Sequence, residues 1–311
     1  MVLAETTVAL RVARPPAPEP APERDAEAEV PGGVDRLPRN RFGQARILRV
    51  LVARELRRKL SSVWFYLVAS GACLIAAMVG SGFVRGFATE SVLVSRNPLA
   101  VVDAFVLAFL GAVLGLRLAA AMSWEREHGT LEVLLSGPVR WTTLVLSKFA
   151  VELVVLAVLL LLYSAYVAIG RPLGTAVVDA GGLAGLWLTA PLVLPLMGLG
   201  LLVSAGLGGV RLAVTAYILA LGFLGAIEAA TAWLNLQSPE TMALSALYIR
   251  SALNAAGEWL FWLSPLAYLG DLFRVAAADM AVGPERSLAA AGLASGLIAL
   301  SVLVAARRGV S

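Results

Sequence analysis

Residues 144–169 read LVLSKFAVELVVLAVLLLLYSAYVAI, 26 positions of which only Lys148 and Glu152 are charged. A helix rises about 1.5 Å per residue, so about 20 such residues cross the roughly 30 Å hydrocarbon layer of a bilayer. Five further stretches reach that length: 63–84, 99–122, 180–205, 212–234 and 288–306. The 311 residues as a whole are 59% hydrophobic and 15% charged, with a mean hydropathy of +0.83. No ordinary soluble domain has that composition. The expected fold class is an all-α integral membrane protein with six transmembrane helices.

Charge is concentrated at the start. Residues 1–60 hold 12 of the 25 Lys+Arg and 8 of the 21 Asp+Glu, so the formal +4 arises entirely there. With the amino terminus placed in the cytoplasm, the inner side carries 19 Lys+Arg and the outer side 6. Positive residues favour the cytoplasmic side. The expectation is a multi-pass protein of the cell inner (plasma) membrane with both termini cytoplasmic. The basic balance then reflects the membrane, and no nucleic-acid partner is expected.

Several chemistries lack their residues. Cys73 is the single cysteine and His128 the single histidine, too few for a disulfide or a multi-histidine metal site. A phosphate loop ends in Gly-Lys-Ser/Thr, but Lys59 follows Arg58 and Lys148 follows Ser147. No metal, catalytic residue or cofactor is expected in this chain.

Residues 1–41 include PPAPEPAPERDAEAEVPGG, a Pro/Ala/Glu-rich composition read as a disordered cytoplasmic tail. From Phe42 to Leu60 a helix is expected, with Leu48, Val52, Leu56 and Leu60 on one side. Arg46, Arg49, Arg57, Arg58 and Lys59 suit it to the headgroup layer, facing anionic lipid. Between the last two spans, residues 241–280 read as outer helices broken at Ser264-Pro265. Arg250, Asn254 and Glu258 form a polar stripe along the first of these. Interfacial helices, a re-entrant hairpin and a seventh span are the competing readings. Gly-x-x-x-Gly pairs such as those at 82/86, 111/115, 181/185 and 292/296 permit close helix approach.

The loop after the second span, 123–148, reads SWEREHGTLEVLLSGPVRWTTLVLSK. A short helix is expected over about 124–136, broken near Gly129, with Thr130 capping a restart and Gly137-Pro138 ending it. Trp124, His128, Leu131 and Leu135 then share one face, and Glu125 and Glu132 lie on another, the exposed side. With Glu127 this makes an acidic helix that anionic lipid repels and a groove on a soluble partner can accept.

Glu125-Arg126-Glu127, Gly129-Thr130-Leu131-Glu132, Leu134-Leu135, Pro138 and Lys148 together resemble the signature of ATP-binding-cassette transporter permeases of the type-2 class. The resemblance covers about residues 42–308. It implies that the stretch from Trp124 to Glu132, together with Leu135, forms the coupling helix seated on a separate ATPase subunit, where ATP and Mg bind. It further implies a second permease subunit and export or membrane extraction of a substrate. Ser264-Pro265, Tyr268 and Asp271 resemble the outer hairpin of the gliding-motility and copper-site-maturation subgroup. Two features depart from the pattern: Ser147-Lys148 stands where Gly-Lys is more frequent, and the acidic tail is additional.

Asp103, Arg117, Glu152 and Glu228 lie inside apolar runs, where an unpaired charge is costly. Arg117 can snorkel, and Glu152 stands four residues after Lys148, the spacing of a local ion pair. Asp103 and Glu228 are candidates for lining a transport pathway, although Glu228 can also reach the outer interface. A self-contained ion-coupled transporter using Asp103, Glu152 and Glu228 is the alternative function, and a membrane scaffold is a third.

Overall fold

The computed structural model describes residues 41–90, 98–131, 139–170, 180–237, 244–278 and 283–308. The tail over 1–40 lies outside them, as do Glu132, Leu135 and the Gly137-Pro138 stop. Every element among the described residues is helical. In chain order they are α1 (Arg41–Leu60), α2 (Val63–Glu90), α3 (Pro98–Glu127), α4 (Trp141–Gly170), α5 (Ala180–Thr189), a 3-10 turn (Ala190–Val193), α6 (Leu194–Gly206), α7 (Val210–Leu236), α8 (Leu244–Leu263), α9 (Pro265–Ala278) and α10 (Pro284–Arg308).

Among the described residues, six helical segments are long and apolar enough to cross a membrane: 63–82, 99–127, 141–169, 184–206, 210–236 and 284–307. The α8 helix, the candidate for a seventh, is not among them. The fourth crossing is not one helix. Pro191 and Pro195 each lack an N–H donor, and the chain tightens into the 3-10 turn between α5 and α6. Thr189 Oγ1 donates to the carbonyls of Gly185 and Leu186 at 3.0 Å each. Such back-bonding to the preceding turn is typical of Thr at a helix irregularity.

The α3 helix is the centre of the bundle, packing against α2, α4, α6, α7 and α9. Leu107, Leu110, Leu114, Leu118 and Met122 recur at three- and four-residue spacing and are fully buried. Against them stand Leu196, Met197 and Leu201 of α6, which in turn packs on α10. The α3–α6 contact is close because of small residues. A Cβ on Gly115 would come 2.8 Å from the Leu196 carbonyl oxygen, and one on Gly200 would overlap the backbone of Gly115. One on Gly111 would lie 2.8 Å from Val193 Cβ. The Gly-x-x-x-Gly pair 111/115 therefore packs internally. Gly82, Gly185, Gly292 and Gly296 each face open space.

The outermost spans leave broad apolar faces uncovered. In α7 only Ala213, Tyr217 and Leu234 are buried, while Leu212, Ile218, Leu219, Phe223 and Trp233 are exposed. Leu67, Leu74 and Met78 do the same on α2. A bilayer or another chain must meet such surfaces.

Candidate functional site

Gly129 ends α3. It has φ +65°, a left-handed conformation open to Gly at no steric cost. Its N–H donates to Arg126 O at 3.1 Å, and Thr130 Oγ1 donates to Glu125 O at 3.1 Å, so these two carbonyls of the last turn of α3 are satisfied. Helix resumes at Thr130–Leu131. The helix expected to begin near residue 124 is therefore, through Glu127, the final turn of the span helix itself. The break expected near Gly129 stands at that residue.

Of the three charged residues before the break, Glu125 and Arg126 are partly buried in the bundle, while Glu127 stays exposed and bonds along its surface. Glu125 pairs with Lys148 of α4, which also pairs with Glu55 of α1. Arg126 donates to Ala205 O and Leu207 O, each at 3.1 Å, and so closes the carbonyl end of α6. Glu127 Oε1 accepts the N–H of Val210 at 2.7 Å, capping the start of α7, where the helix dipole favours an anion. Ser123 and Ser204 complete the junction. Ser204 Oγ accepts from the N–H groups of Met122 (2.9 Å) and Ser123 (3.2 Å), and Ser123 Oγ donates to Leu207 O at 3.2 Å. The exposed-face placement expected for Glu125 is thus overturned: its side chain is only 13% exposed, because Lys148 draws it inward.

Beside the exposed Glu127, the surface here is dominated by an aromatic pair. Trp124 is 54% exposed and stacks on His128, with ring centroids 4.2 Å apart and an interplanar angle of 25°. The pair is held by a 2.9 Å contact between His128 Nδ1 and Trp124 O. Thr130 is exposed beside the break. Leu131, expected on the same face, is buried instead, because the left-handed Gly129 redirects the chain.

A second ion cluster lies deeper. Glu152 is fully buried and accepts from Lys59 Nζ at 2.6 Å, with Arg117 Nε at 3.5 Å. The local Lys148–Glu152 pair expected from spacing is not formed; each residue takes partners from α1 and α3 instead. Arg117 consequently pairs within the protein, and Lys59 turns away from the headgroup-facing side. Arg46, Arg49, Arg57 and Arg58 remain exposed along α1.

The two pathway candidates take different partners. Asp103 is buried and accepts a 2.7 Å hydrogen bond from Tyr163 of α4. Glu228 is half-buried, with Ser264 Oγ 3.5 Å from its Oε1. The polar stripe of α8 meets the end of α7: Arg250 Nε donates to Asn235 Oδ1 at 3.0 Å, and Asn235 Nδ2 to Asn254 Oδ1 at 3.2 Å. Asp271 pairs with Arg286 of α10, whose guanidinium lies 4.9 Å from the ring centroids of both Trp262 and Tyr268. Among the described residues no group of three His, Cys, Asp or Glu side chains could hold a metal ion.

Sequence reasoning passed over Glu55 and Arg286. Glu55 had a signal, as the lone acid of α1, one position from the apolar Leu56. Arg286 had none, because its ring and carboxylate partners come from other helices.

No curated protein matches this chain. The family described as "ABC-2 family transporter protein" matches residues 56–227, more than half of the sequence and inclusive of the α3–α4 junction. The chain belongs to that family of multi-pass membrane transport components.

Proposed function

We propose that the chain is the permease half of an ATP-binding-cassette transporter. Two permease subunits pair with two ATPase subunits that bind ATP and Mg, and ATP hydrolysis drives export or membrane extraction of a substrate. The observation that carries this reading is the exposed Trp124–His128 stack on the last turn of α3. It is immediately flanked by three charged residues that tie α1, α4, α6 and α7 together. A partner seated on that stack pushes on five helices at once, which suits rigid-body tilting of the spans. The excess of Lys+Arg on the α1 side supports a cytoplasmic position for this end in the plasma membrane. Ser264-Pro265, Tyr268 and Asp271 support the gliding-motility and copper-site-maturation subgroup. An ion-coupled mechanism has less support, since Glu152 sits between two cations and Asp103 beneath a tyrosine hydroxyl.

The test is gentle purification of the tagged chain from native membranes, followed by mass spectrometry. A near-stoichiometric chain carrying a phosphate-loop motif is expected. Trp124→Ala/His128→Ala should lose that chain while membrane insertion persists, because exposed aromatic anchors commonly dominate binding energy. Undiminished capture by the double variant overturns the docking assignment.

A further inference from the structure

The two ion clusters at the α1 end share one construction. Each takes a single residue from each of the same three helices. The first joins Glu55 of α1, Glu125 of α3 and Lys148 of α4. The second joins Lys59 of α1, Arg117 of α3 and Glu152 of α4. Every helix reverses the sign of its contribution between the two clusters. The first cluster has one surplus negative charge and the second one surplus positive charge, so the six together are neutral.

This alternation fixes how the helices lie along one another. Glu55 and Lys59 follow the same order as their partners Lys148 and Glu152, so α1 and α4 run in the same direction here. Arg117 and Glu125 follow the opposite order, so α3 runs against both. Sliding α1 along α4 by four residues, about 6 Å, sets Glu55 against Glu152 or Lys59 against Lys148. Sliding α3 by two turns sets Glu125 against Glu152 or Arg117 against Lys148. Like charges at such distances repel strongly where water is scarce. Glu152 is 0% exposed and Lys148 6%, so solvent cannot relieve a misregister. Shear between packed helices is one of the ordinary ways a bundle changes shape, and this pattern opposes it.

We propose that these six residues form a register lock that makes α1 move as one body with the adjoining ends of α3 and α4, with Lys148 as its positioning residue. The lock is a property of this chain alone. Only the source of the motion rests on the permease reading: a push at Trp124 then carries α1, and through the Ser61-Ser62 link the start of α2.

The experiment uses the full-length chain in lipid nanodiscs, carrying Cys73→Ala and nitroxide labels at Arg46→Cys on α1 and Leu153→Cys on α4, both exposed positions. Pulsed electron spin resonance should give a single narrow distance. Lys148→Gln leaves Glu55 and Glu125 without their cation and should spread that distance into several, with Lys148→Arg restoring one. Lys59→Gln, at a less buried position, should broaden it in the same sense if Lys148→Gln does not fold. An unchanged narrow distance in the Gln variants overturns the lock. In the complex with a co-purified ATPase, trapping with ATP and vanadate should leave the distance where it was; a displaced mean overturns movement as one body. Absence of any co-purified ATPase would count against the permease reading, while the first comparison still decides the lock.

Discussion

Glu152 shows what a single buried charge demands. Its carboxylate is fully enclosed, and Lys59 and Arg117 come to it from residues far away in sequence. Removing one partner of a buried ion cluster typically costs about 3–5 kcal/mol, because the remaining charges stay buried without compensation. Glu152→Gln is therefore expected to lower the thermal unfolding midpoint of the detergent-solubilised protein markedly. Adding Lys59→Met should return part of the loss by removing one stranded cation. A Glu152→Gln midpoint equal to wild type would mean the cluster contributes nothing. The residue scale is also where sequence reading fell short. The spacing of Lys148 and Glu152 correctly marked both as needing partners, but the rule for helix neighbours sees only one helix. Glu125 was misplaced for the same reason: its surface position on an isolated helix becomes an inward one once Lys148 stands opposite.

At the scale of the element, α3 carries the argument. Its 30 residues span about 45 Å, well beyond the roughly 30 Å hydrocarbon layer. Hydropathy ended the span at Met122, where the composition turns polar, yet hydrogen bonding continues until Gly129 forces a left-handed turn. Periodicity and composition thus marked the spans well, while the boundary between the span and the loop that follows it was hidden by a change in composition without a change in conformation. The broken fourth span was hidden in the opposite way, because its window averages over Pro191 and Pro195 although both were plain to read. The Gly129 turn gives a test. Left-handed backbone costs a side-chain-bearing residue about 1–2 kcal/mol, and Asn tolerates it best. Gly129→Asn should retain the co-purifying ATPase. Gly129→Val should weaken its capture at unchanged expression, since the turn that presents Trp124 and His128 is strained. Equal capture by both variants would show that the left-handed turn plays no part in docking.

Across the molecule as a whole, the spans are unevenly covered. In the α7 crossing only 11% of the apolar window is buried within the chain, against 61% for α4. A span so little covered owes its position to contacts outside its own subunit, and in a bilayer apolar surface alone does not distinguish lipid from protein. In the proposed two-subunit assembly, when the second permease subunit is another copy of this chain, the α7 face with Leu219 and Phe223 lies against it. In a Cys73→Ala background, Leu219→Cys or Phe223→Cys should form a disulfide-linked dimer in native membranes under mild oxidation. Leu161→Cys, similarly exposed on the otherwise well-packed α4, should not. A dimer trapped through position 161 and not through 219 or 223 would move the subunit contact away from α7 and leave that helix to the lipid.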